Sequence, residues 1–184
     1  MKKIYLLVAM FGALALEAAP LTFSWTVDTA VLSGQSGQLS FQYNTSGTDA
    51  TTATISQFGG AGLGSFSVVG NVTGDLSSSV VISPTSSNLA NEFLQIVTFG
   101  DSFQFVLTLA GDLLDNPQDI NGSQFALQIV GGSALLASVE IFPGLDPFVS
   151  LDASVTETNP VPEPSTALLV LVAVPAGIWL RRRR

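Results

Sequence analysis

The chain has no cysteine and no histidine, and all six of its Lys and Arg residues sit at its two ends. Lys2 and Lys3 open it, and Arg181, Arg182, Arg183 and Arg184 close it. Without His or Cys, the chain cannot build a Ser-His-Asp triad, a thiol nucleophile or an ordinary zinc site. Without Lys or Arg, the body between the ends has no phosphate clamp, no nucleic-acid footprint and no amine for a pyridoxal Schiff base. No cofactor and no nucleic-acid partner are expected. The missing cysteines also exclude a disulfide staple, so stability must come from burial and backbone hydrogen bonding.

The body carries acids instead. Of the 14 Asp and Glu residues only Glu17 and Glu163 lie outside residues 19–161, which leaves the body 12 acids and no base. Such a charge favours solubility and works against nonspecific binding to anionic polymers. A stretch of this length suits a single domain with a real core.

Both ends read as membrane-directed segments. Lys2 and Lys3 precede an apolar run from Ile4 to Leu16, followed by the small residues Ala18 and Ala19. That is the three-part pattern of a secretory signal peptide, which implies the Sec translocon and signal peptidase as partners. Pro20 disfavours a cut after Ala19, so cleavage is expected after Ala18, with the bond after Ala15 as the alternative. At the other end, Pro162, Glu163 and Pro164 resist helix formation, and Ser165 and Thr166 stand where an N-cap belongs. Residues 165–180 then form an apolar run interrupted by Pro175. As a helix these 16 residues span roughly 24 Å at about 1.5 Å per residue, short of the ~30 Å bilayer core. Arg181 to Arg184 would hold the terminus on the cytoplasmic side. The tail is either a plain anchor or a sorting signal recognised at the inner membrane and then removed.

Between the ends the hydrophobic period is two. Leu21, Phe23, Trp25 and Val27 alternate with polar residues, as do Leu39, Phe41 and Tyr43. Phe103, Phe105, Leu107 and Leu109 repeat the pattern, and so do Phe125, Leu127 and Ile129. Less regular strands are expected at Ala53–Phe58, Phe66–Val72, Val80–Ser83, Phe93–Phe99, Leu135–Phe142 and Phe148–Val155. About ten short strands with one apolar face each predict an all-β fold, an antiparallel, jelly-roll-like β-sandwich. Another Greek-key sandwich or a closed barrel would share the pattern. The expected organisation is a signal peptide at 1–18, the sandwich at 19–155, a linker at 156–161, and residues 162–184 with a single transmembrane helix over 165–180.

Few body residues offer chemistry. Asp112, Asp115 and Asp119, with Asn116 and Asn121, form an acidic stretch whose oxygens suit calcium. Pro117 and the lack of a closing glutamate break the EF-hand pattern, and a solvated inter-strand loop is the simpler reading. The run Gly59-Gly-Ala-Gly-Leu-Gly64 lacks the Lys-Ser/Thr ending of a phosphate loop and reads as a glycine-rich bend. Asp28, Glu92 and Glu140 would serve glycoside hydrolysis only if two of them faced each other across a cleft. Trp25 alternates with core residues and is expected to be buried. Asn44, Asn71 and Asn121 head Asn-x-Ser/Thr sequons that are read as fortuitous.

The tail also carries a family resemblance. Val161-Pro-Glu-Pro-Ser-Thr166, the apolar stretch and the arginine cluster resemble the PEP-CTERM sorting domain of Gram-negative bacteria, with Pro175 as a departure. The resemblance implies handling by exosortase, a membrane-embedded cysteine transpeptidase-like enzyme, in organisms that commonly make extracellular polysaccharide. In the body, Phe23–Gly34, Gly37–Asn44 and Phe93–Phe105 are similar to a family of PEP-CTERM proteins to which no activity is assigned. The expected role is therefore that of an exported, non-catalytic structural or adhesive protein of the cell surface or matrix. A module binding exopolysaccharide is the alternative, and a glycan-active enzyme a lesser one.

Overall fold

The computed structural model describes residues 20–45, 51–85, 90–111, 114, 122–130, 135–141 and 146–158. They form twelve strands: β1 (Leu21–Asp28), β2 (Ser36–Thr45), β3 (Thr51–Gly59), β4 (Gly62–Val69), β5 (Val72–Asp75), β6 (Ser79–Ile82), β7 (Glu92–Thr98), β8 (Ser102–Gly111), β9 (Ser123–Val130), β10 (Leu135–Ile141), β11 (Phe148–Leu151) and β12 (Val155–Glu157). The 3-10 turn Ala30–Leu32 links β1 to β2. Among the described residues no helix is long and apolar enough to cross a membrane.

Two antiparallel sheets of six strands result, ordered β12-β1-β8-β3-β6-β5 and β11-β10-β9-β2-β7-β4. No strand pairing joins one sheet to the other among the described residues, so the molecule is a sandwich and not a closed barrel. The alternating residues expected to face inward do so. Phe23, Trp25, Val27, Leu39, Phe41, Tyr43, Phe103, Phe105, Leu107, Leu109, Phe125 and Leu127 are all buried in one core. Aromatic rings join the layers. Phe105 of one sheet meets Phe41 of the other edge-on at 5.5 Å, and Trp25 lies 5.9 Å from Phe125. Such pairs add to the area they bury by about 0.5–1.5 kcal/mol each.

Only β5–β6, β9–β10 and β10–β11 connect neighbours within one sheet, and every other connection crosses between the layers. These crossings explain where the sequence reading and the fold differ. The stretch expected as one strand, Phe66–Val72, breaks at Gly70 and Asn71, where the chain passes from one sheet to the other. Gly70 has a φ of 77°, and a Cβ there would fall 2.4 Å from Asn91 Oδ1. The stretch Phe148–Val155 likewise divides into β11 and β12, one in each sheet. Asp152 makes that turn, its Oδ1 accepting from the Ser154 amide and hydroxyl at 2.9 and 2.8 Å. β12 also continues into the segment expected as linker: Thr156 pairs with Thr26, Glu157 with Trp25, and the Thr158 amide donates to Ser24 O at 2.9 Å.

Candidate functional site

The two outer faces are where this body meets its surroundings, and they differ in chemistry. On the first sheet the register aligns Thr22, Thr108, Thr54, Val81 and Thr73 in one row across β1, β8, β3, β6 and β5. Every member is β-branched, which suits a pleated, half-solvated face. Thr22 and Thr108 bring their hydroxyls to 3.5 Å. On the second sheet the outward residues of β2 and β9 are mostly amides: Gln38 and Gln42 on one strand, Gln124 and Gln128 on the other.

Glu92, at the start of β7, lies on that amide face. Its Oε1 accepts from Gln42 Nε2 at 3.0 Å and from the Ser40 hydroxyl, which explains why an outward serine on β2 is buried. Glu140 on β10 accepts from Gln124 Nε2 at 2.9 Å. β7 and β10 are separated by β2 and β9, so the two carboxylates stand three strands apart, roughly 14 Å at about 4.8 Å per strand. Asp28 lies on the other sheet, where its Oδ1 accepts from the Ala30 amide and starts the 3-10 turn. The structure therefore does not bring Asp28, Glu92 and Glu140 together as a facing pair. Among the described residues no group of three or more Asp, Glu, His or Cys is placed to hold a metal ion.

Hydrogen bonds with serine shape two further acids. Ser77, through its hydroxyl and amide, holds the Asp75 carboxyl below the usual carboxylate range, and Ser154 does the same to Asp152. Both carboxylates stabilise tight turns. The glycine-rich run is structural too: it carries the chain from β3 to β4 and opens no helix. Gly60 has a φ of 92°, and a Cβ on it would come 2.3 Å from Ser102 O.

Several polar groups lie inside, where sequence alone gave little sign of them. Gln95 occupies an inward position on β7 with 1% exposure, and its Nε2 reaches Gly64 O at 2.9 Å, Ser65 O at 3.3 Å and Ile96 O at 2.9 Å. It secures the bulge that interrupts β4 between Leu63 and Phe66. Asn91 is buried and accepts from the Asn71 amide at 2.9 Å, while its own amide donates to Asn44 Oδ1 at 2.9 Å. Two of the sequon asparagines, Asn44 and Asn71, thus belong to one network of strand ends. The Tyr43 hydroxyl meets Thr51 Oγ1 at 2.5 Å and Ser123 Oγ at 3.0 Å, and burial raises its pKa above the ordinary tyrosine value.

Trp25 is buried as expected, with its indole nitrogen unpartnered among the described residues. Glu157, its cross-strand neighbour on β12, has a buried Oε1 that is also unpartnered there.

No protein-family model matches the chain, and no match was found among curated proteins or solved structures. The sorting residues Pro162, Glu163, Pro164, Ser165 and Thr166 lie outside the described residues, as do Arg181 to Arg184, the segments 1–18 and 165–180, and the calcium candidates Asp112, Asp115 and Asp119. What the described part offers is hydroxyls and amides spread over two broad faces, suited to neutral hydrogen-bonding partners.

Proposed function

We propose that this is an exported, non-catalytic structural or adhesive protein of the cell surface or extracellular matrix. A signal peptide would take it to the Sec translocon, and the tail would address it to exosortase at the inner membrane. The observation that carries the reading is the separation of charge. Every cation lies in the two terminal segments, while the body presents broad faces of Thr, Ser and Gln, with its described acids dispersed over the strands and turns of both sheets. Dispersed acids and neutral faces suit contact over an area better than chemistry at a point. Within the sandwich, the order β1-β8-β3-β6 in one sheet and β2-β7-β4 in the other follows an eight-stranded jelly roll. In that reading β5 folds onto β6 instead of β4, and β9 to β12 widen the two sheets.

The test of the address is the mass of the mature C-terminus in a producing bacterium with and without exosortase. Loss of Arg181–Arg184 in the wild type and their retention without exosortase is the expected result. An intact Arg184 in the fully matured wild-type protein would leave a plain anchor and refute removal.

One observation favours a second reading, a module that binds exopolysaccharide. The amide face with Gln38, Gln42, Gln124 and Gln128 supplies paired donors and acceptors of the kind sugar hydroxyls accept. A glycan array run with and without EDTA separates the two: the module requires binding to at least one neutral glycan, and the structural role requires none.

A further inference from the structure

Four strands border the sandwich, and one of them differs from the rest. β11 is flanked by Asp146 and Asp152, β12 ends on Glu157, and β5 ends on Asp75. β4, Gly62–Val69, contains no charged residue and no proline. Among the described residues it is the last strand of its sheet, with β7 as its only partner, and every one of its eight residues is exposed. Leu63, Phe66, Val68 and Val69 are each 42–50% exposed, and Ile96 of β7 beside them is 45% exposed. Proteins ordinarily protect such an edge with lysine, other charges, proline or a bulge, because its free N–H and C=O groups are a template for another strand. β4 has only the bulge, and beyond it Phe66–Val69 pairs with β7 in regular register.

The one acid opposite β4 is turned away from it. Glu92 pairs in register with Val69, yet its carboxylate is held by Ser40 and Gln42 of β2, on the far side of β7. Phe66 stacks on the buried Phe93 at 5.1 Å, so the half-exposed side chains of β4 continue the core out to the edge.

We propose that β4 is a self-pairing edge: two copies of this chain join β4 to β4, antiparallel about a two-fold axis, making one sheet of twelve strands from two of six. Charge selects the occupant. A body with 12 acids and no base cannot recruit a second copy through ion pairs. β12 and β5 each end on an acid and the four-residue β11 lies between two, so a long edge free of charge along and beside it is met only in another β4. Edge pairing of this length falls at the small end of specific interfaces, below about 1,200 Å², so the pair is weak when dilute and tightens at high local concentration. The inference is independent of how the chain is addressed.

The absence of cysteine makes the test direct, since an introduced residue is the only thiol present. The full chain in mild detergent would carry Ser65→Cys, Ser67→Cys, Val68→Cys or Val69→Cys one at a time, with Val31→Cys, 87% exposed in the 3-10 turn, and Ser150→Cys on β11 as controls. Under mild oxidation a position near the two-fold should form disulfide-linked dimer roughly tenfold faster than either control, because bridging needs Cα atoms within about 7 Å. Sodium chloride should raise the yield by screening the acids, and Val68→Glu added to the best cysteine variant should abolish it while circular dichroism stays unchanged. The proposal is overturned if the β4 cysteines link no faster than Val31→Cys. It is equally overturned if folded Val68→Glu protein links as before, or if β4 thiols link preferentially to Ser150→Cys of another copy.

Discussion

Tyr43 shows what a single polar atom does inside this core. Its ring fills space between the sheets, and its hydroxyl joins Thr51 of β3 to Ser123 of β9. Tyr43→Phe would keep the ring and leave two buried hydroxyls short of a partner, at a cost of about 1–2 kcal/mol readable by urea denaturation. The raised pKa fixes a pH effect. Burial disfavours the phenolate, so the folded form holds its proton to higher pH than the unfolded chain. The contribution is complete below the unfolded value near 10 and disappears as pH rises through the folded one. Alkaline unfolding followed by circular dichroism should therefore begin above pH ~10 and coincide with phenolate absorbance, and Tyr43→Phe should move its onset upward. Glu157 sets the opposite case. Its buried Oε1 has no partner among the described residues, so Glu157→Leu removes a desolvated acceptor without breaking a hydrogen bond seen there. Unchanged or higher thermal stability is expected, and a melting temperature lowered by several degrees would show that the carboxylate has a role these contacts do not supply.

At the level of elements, the inward set of each long strand was legible because a half-buried strand writes its two faces as alternation. β1, β2, β8 and β9 needed nothing more. The strand breaks were not legible. Phe66–Val72 and Phe148–Val155 each mix apolar and small polar residues without regular alternation, and periodicity does not mark where a strand leaves one sheet for the other. The markers are single residues, Gly70 and Asp152, whose meaning depends on a long-range neighbour or a local hydrogen bond. Gln95 was illegible for a related reason: a polar residue at an inward position reads as a flaw until the bulge carbonyls it serves are known. Gln95→Leu should cost about 1–3 kcal/mol by stranding those carbonyls, and faster amide hydrogen exchange along Gly62–Val69 would locate the damage. The turn acids give a further check. Because serine hydrogen bonds lower the Asp75 and Asp152 values, their contribution is present above the unfolded carboxylate pKa and is lost as pH falls through the folded one. Carboxyl-carbon titration by NMR should place both below 3.8, and Ser154→Ala should return Asp152 toward that value.

For the whole molecule, uncompensated negative charge is the governing fact. Each of the 12 body acids has others of the same sign and no cation within the body, so folding gathers repulsion that salt relieves. Raising ionic strength from about 0.01 M to about 0.15 M shortens the screening length from about 30 Å to about 8 Å. The melting temperature should rise across that range by calorimetry, and a flat or falling response would contradict the charge argument. The same scale exposes a mechanical property of the fold. A load drawn through the chain's C-terminal end enters the sandwich at β12, which is paired to β1 at three register positions. That short strand would peel before anything else, and the seven residues from Asp152 to Thr158 would release roughly 23 Å of chain at about 3.3 Å per residue. Only then would tension reach β11 and the opposite layer. The sandwich thus has a yielding first link at its C-terminal edge, and its extension strips Trp25 of its cross-strand neighbour Glu157.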